Sequence, residues 1–158
     1  MVRTTQLGVS RLQTITKIVG GYRRCSTQTG YLATKHMMMP KDENFMGDIF
    51  GGHILGEMDL AAAIAARRVV KTRVVTVALD KVLFKNSVHT GDTLSCYTWI
   101  DKVGTTSIGV KVLAKVHRLD SDEDEDAEEE VTEGHFTFVC VDSDGKPVPH
   151  EQSLPAPA

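Results

Sequence analysis

One stretch sets the terms for how this chain can fold: Gly51 to Val70, "GGHILGEMDLAAAIAARRVV". Ile54, Leu55, Met58, Ala62, Ala65 and Val69 recur at helical spacing. From Leu60 on the run is almost entirely apolar and small, which suits a buried helix. The segments that follow have a different period. "TRVVTVALDKVLF" (72–84), "TLSCYTWIDKV" (93–103), "SIGVKVLAKVH" (107–117) and "EGHFTFVCVD" (133–142) read as strands. The first of them is apolar on both faces, as expected of a central strand. Ahead of the helix, "ATKHMMMP" reads as a short strand ended by Pro40, and "KDENFMGDIFG" as a turn-rich loop. The order strand, helix, four strands, joined by connections short enough for antiparallel pairing, predicts an α+β fold. In it the antiparallel sheet wraps around one long helix.

At 158 residues the chain fits one domain. We expect a basic N-terminal extension over 1–31, the domain over 32–150 with an acidic insert at 119–131, and a Pro-rich tail over 151–158. Residues 1–41 carry seven Lys or Arg and no acid, whereas 120–130, "DSDEDEDAEEE", holds nine of the 21 acids. Setting that run aside leaves 18 basic against 12 acidic residues, a mild positive balance that suits an anionic small molecule. It does not suit nucleic acid, which calls for basic residues clustered on one element with aromatic partners. The acidic run reads as a solvated, disordered loop. The Arg-, Ser- and Thr-rich extension has the composition of a mitochondrial transit peptide, which predicts mitochondrial localisation, with the cytoplasm as the alternative. No apolar run approaches the ~20 residues that span a bilayer. Cys25, Cys96 and Cys140 lack CxxC spacing, and Cys96 and Cys140 read as small core residues. The six histidines lack metal-ligand spacing, so neither a metal nor a cofactor is expected.

Chemistry concentrates where loop meets helix. Gly51 and Gly52 open the helix, where backbone N–H groups have no intrahelical acceptor and the helix dipole favours negative charge. Asp48 stands just ahead of them and Asn44 four residues earlier. Asn44 suits bracing the loop, orienting a water, or a left-handed turn position. A second cluster is "KVGTTS". Gly104 permits a tight turn, Thr105, Thr106 and Ser107 offer donors to phosphate, and Arg73 and Lys102 could add charge. Met37, Met38 and Met39 read as strand and core residues, or as the flexible lining of a tunnel for an apolar group.

The stretch "MMMPKDENFMGDIFGGHILGEMDLAAAIA", with "RVVTVALDKVLF", "VHTGDTLSCYTWIDKVGTTSIGVKV" and "FTFVCVDSDGKPVP", resembles the hotdog-fold acyl-CoA thioesterases of the YciA type. The resemblance covers about Thr34 to Pro149, and its core is "P-x-D-x-N-x-x-G-D-I-F-G-G". It implies hydrolysis of fatty acyl-CoA to free acid and coenzyme A, the latter being part of substrate and product. It also implies dimers with a continuous sheet, some assembled as trimers of dimers, and a site at the subunit interface. Asp48 would be the catalytic acid residue, as general base or nucleophile, with the Gly51 and Gly52 amides as oxyanion hole. The chain departs from the family's pattern at His53, where Trp is frequent, and at Asp80, where Glu is frequent. His53 is expected either to line the thioester site or to face the sheet as a core histidine. Two other readings compete. A non-catalytic acyl-CoA sensor or scaffold would keep the fold. A hotdog dehydratase would need a His paired with an acid in the active-site loop, and 40–52 contains none.

Overall fold

The small-residue run does form the expected helix, α1, over Gly51–Val69. The computed structural model describes residues 30–119 and 127–150. Among these, β1 (Tyr31–Met37) and a 3-10 turn (Pro40–Asp42) precede α1. After it come β2 (Val74–Phe84), β3 (Thr93–Val103), β4 (Ser107–His117) and β5 (Glu129–Cys140). The strands form one sheet in the order β1-β3-β4-β5-β2 with every neighbouring pair antiparallel. α1 touches all five strands, the hotdog arrangement of a sheet wrapped around a helix.

Packing explains the wrap. α1 buries Ile54, Met58, Ala61, Ala62, Ala65 and Ala66 against the sheet. Facing strands β3, β4 and β5 supply Leu94, Cys96, Ile108, Val110, Val112, Ala114, Val116, Phe136 and Phe138, all at 2% exposure or less. β4 alternates buried and half-buried residues along its whole length, as one covered face requires. Register shifts in β1, β2, β3 and β4 add the local bend and twist that let a sheet curl.

Four expectations need correcting. The strand over 72–84 is not central: β2 is an edge, bonded to β5 only, and Val77, Leu83 and Phe84 are exposed. Apolarity on both faces of this stretch therefore does not mark a strand buried on both sides within the chain. The acidic run is not loop to its end, because β5 begins at Glu129. There Arg118 takes Glu129 (Nη2–Oε2 2.6 Å), Lys85 takes Glu130 (2.9 Å), and the Tyr97 hydroxyl donates to Glu128 (2.8 Å). Pairing of these carboxylates permits a strand where composition argues for solvation. Burial and that carboxylate together push the Tyr97 hydroxyl up to about 12. Of the three methionines only Met38 enters the core, while Met37 and Met39 are exposed. β1 starts at Tyr31 and stops at Met37, well short of Pro40.

Cys96 and Cys140 are buried and unbridged, as expected of core residues, and desolvation pushes the Cys96 thiol up to about 11. Thiolate is the reactive form, so both should resist alkylation while the chain is folded. Peptide mapping after iodoacetamide at neutral pH should find them unmodified natively and modified in denaturant. Native modification of either would contradict this packing.

Candidate active site

The loop between the 3-10 turn and α1 is held from both sides. Glu43 and Ile49 form an antiparallel bridge. Inside it, the Asn44 side-chain oxygen accepts from the N–H of Met46 (2.8 Å) and of Asp48 (3.3 Å). Asn44 N–H donates to the Asp48 carbonyl at 2.7 Å, and Gly47 takes φ 91°, a conformation glycine adopts without a Cβ clash. Of the three roles read for Asn44, bracing is what the geometry shows. Asn44 itself is not left-handed, since Lys81 is the one non-glycine with positive φ among the described residues.

Across the gap, the loop joining β2 to β3 is pinned to this one. Ile49 N–H donates to the Val88 carbonyl at 2.8 Å. That single bond places the residue before Ile49 and the residue after Val88 side by side. His89 Nε2 consequently sits 3.2 Å from Asp48 Oδ1. Forty-one positions separate the two in sequence, and no local spacing links them.

α1 starts without a side-chain cap. The first helical donors, His53 and Ile54, both use the Phe50 carbonyl (2.8 and 3.3 Å), so the Gly51 and Gly52 amides are left without an acceptor among the described residues. The two glycines differ. A Cβ on Gly52 would come 2.4 Å from the ring of Phe50, an exposed side chain that would have to turn aside to admit it. Gly51 lines a cavity of about 320 Å³ together with Asn44, Asp48, Ile49, Ile54, Phe84, Lys85, Asn86, Ser87 and Val88. Asp48 and one unsatisfied amide therefore share a cavity within the size range of ligand pockets. Lys85, on the same wall, is engaged by Glu130, whose hydrogen bond raises the ammonium and is itself lowered in return.

His53 is not part of the cavity lining; it is half-buried, with Nδ1 3.7 Å from Asp42 Oδ1 in the 3-10 turn. The second cluster lies elsewhere. Thr105 and Thr106 form the tip of the β3–β4 hairpin, closed by Gly104 N–H to the Ser107 carbonyl at 2.7 Å. Cys140 N–H donates to Thr106 and Val141 N–H to Arg73, which groups Arg73 with the tip. Lys102 is exposed beside it. The β3 residue nearest Asp48 is at the Thr93 end, and Val103 is ten residues away, about 33 Å at the usual strand rise. Arg73, Lys102 and Gly104–Ser107 therefore stand together, at the opposite end of the sheet from Asp48.

The sequence model of the Thioesterase superfamily matches residues 46–120. An acyl-CoA thioester hydrolase, YciA, of Salmonella typhimurium is 40% identical over 124 residues, which covers 78% of this chain and 92% of the relative. The chain belongs to this family. Among solved structures, the thioesterase domain superposes on a hexameric hotdog-fold thioesterase of Campylobacter jejuni at TM-score 0.73 and 44% identity, over 79% of this chain and 93% of the other. A hexameric thioesterase of Yersinia pestis gives 0.70 and 36%, over 80% and 99%. The curated relatives are bacterial, and the N-terminal extension of this thioesterase, with Cys25, lies outside the described residues.

Asn44→Ala would remove the acceptor for two loop amides and should cost about 1 kcal/mol. Chemical denaturation should show that loss, with a larger proportional fall in activity as Asp48 is released. A variant as stable as the parent would mean the Asn44 bonds do not hold the loop.

Proposed function

We propose that this chain hydrolyses fatty acyl-CoA to free acid and coenzyme A at the cavity between Asp48 and the start of α1. One observation carries the reading: a carboxylate and an acceptor-free helix amide line the same cavity. The relatives' described activities support it.

A carboxylate is ionised at neutral pH and can take a proton from water as that water's oxygen attacks the thioester carbon. Alternatively it attacks the carbon itself, giving a mixed anhydride that water then opens. In either route the carbonyl oxygen becomes an anion, which the Gly51 N–H and the helix dipole stabilise. One such donor is typically worth about 3 kcal/mol in the transition state. The C–S bond then breaks and the thiolate leaves, taking a proton from solvent. A thiol with a pKa near 8.5 departs without a strong general acid, so the step needs neither metal nor cofactor.

The nucleotide end of the substrate is assigned to Arg73, Lys102, Gly104, Thr105, Thr106 and Ser107, and the distance to Asp48 then requires two chains. β2 is an unpaired edge with exposed apolar side chains. Its Val74 end lies by the hairpin tip and its Phe84 end by the cavity. Pairing two β2 edges antiparallel about a twofold axis sets each chain's Arg73 end beside the other's Phe84 end. The proposed unit is therefore a homodimer, or a trimer of such dimers in keeping with the hexameric relatives. His53, half-buried and paired with Asp42, is the weakest member of the proposed binding set.

Purified protein given acyl-CoAs of several chain lengths should release thiol, and Asp48→Asn should lower the rate about 10²- to 10⁴-fold. Full activity in that variant would remove Asp48 from the mechanism. Absence of thiol release at every chain length would instead favour a non-catalytic acyl-CoA-binding protein. The His89–Asp48 contact gives the dehydratase reading its one support, and enoyl thioester formed without thiol release would establish it. Co-refolding Asp48→Asn with an Arg73→Glu, Lys102→Glu double variant tests the shared site. Random pairing leaves one intact site in half the dimers, so activity should return to about a quarter of the parent's. No recovery would mean each chain works alone.

The finer localisation proposal rests on composition: a reporter fused to residues 1–31 should enter mitochondria, and a cytosolic reporter would end that reading.

A further inference from the structure

His89 stands against the proposed catalytic carboxylate, and two bonds of its own main chain, backed by four on its neighbours, hold it there. Its own N–H donates to Asp92 Oδ2 at 2.9 Å, and its carbonyl accepts from Asp92 N–H at 3.2 Å. Asp92 is buried, and Arg118 grips it from the end of β4, Nη1 to Oδ2 at 2.7 Å, while the same nitrogen donates to the Ser87 carbonyl at 2.9 Å. The turn is also fixed to Met38, the residue after β1, Met38 N–H to the Asp92 carbonyl at 2.8 Å and Gly91 N–H to the Met38 carbonyl at 2.9 Å. A histidine placed so firmly makes little sense as a stability device. Its side chain is 54% exposed and that of Asp48 38%, and pairs so exposed contribute little to folding.

We propose that His89 is a positioning residue for Asp48. With the proton on Nε2, the imidazole donates to Oδ1, fixing the carboxylate plane and leaving the other oxygen for the attacking water or the thioester carbon. A carboxylate with one oxygen held has fewer rotamers to search, and a misplacement of about 1 Å in such a group can cost 10²-fold in rate. Arg118 and Asp92 are the frame that sets the imidazole. The proposal rests on the reading of Asp48 given above.

The test is steady-state kinetics on the full-length protein with an acyl-CoA substrate. His89→Ala should lower kcat about ten- to hundredfold with KM little changed, and His89→Gln, which keeps an N–H donor at similar reach, should recover most of the loss. Combining His89→Ala with Asp48→Asn should add no further loss, since the effect passes through Asp48. A kcat for His89→Ala within twofold of the parent would overturn the proposal, as would equal losses in the Ala and Gln variants. An effect confined to KM would do the same. Failure of the Asp48 reading is separable: there Asp48→Asn itself remains active, whatever His89 does.

Discussion

The geometry depends first on how closely α1 lies to the sheet. Ala61, Ala62, Ala65 and Ala66 form the face that touches β3, β4 and β5, and none exceeds 5% exposure. Alanine at these positions brings the helix backbone down onto the sheet, and Phe136 and Phe138 belong to the same buried core. Interiors are packed to crystal density, so a bulkier side chain on this face would lift or tilt the rod. A helix moves as a unit. Tilting it would carry the Gly51 amide away from the loop that presents Asp48, although neither residue touches the alanines.

The second constraint is the edge that the single chain leaves unpaired. A sheet that encloses a helix leaves two edges, and here the edge nearer the cavity is β2, which exposes Val77, Leu83 and Phe84. The chain also keeps its acid and its phosphate-type donors at opposite ends of the same strands. Both features are met by one arrangement, a twofold pairing of β2 edges, which closes the edge and brings opposite ends together. Oligomerisation would then be part of how the site is built.

The loops around Asp48 divide the work. The 43–49 loop is shaped locally, by an asparagine and a glycine whose roles follow from their own backbone. The 85–92 loop is shaped from a distance, by Arg118 through Asp92 and by the main chain of Met38 just after β1. One backbone bond, Ile49 to Val88, joins the two and sets the Asp48–His89 contact.

What the sequence determined by itself was whatever short-range physics controls. The helix over Gly51–Val69, the strands after it and the α+β order follow from the period of apolar residues, and the acid ahead of an uncapped helix start from local motif. Charge and alternation within a window could not show that β2 is an edge, that Glu129 and Glu130 extend a strand, or that His53 turns toward Asp42. Those outcomes were decided by partners outside any such window and by strand order: Lys85 and Arg118 for the two glutamates, Asp42 for His53, and the place of β2 beside β5 alone. Tertiary structure alone set His89 beside Asp48 and parted Asp48 from Arg73 and the hairpin tip. The reason is that which residues meet across a sheet is fixed by strand order and register, and neither is written in any single stretch of sequence.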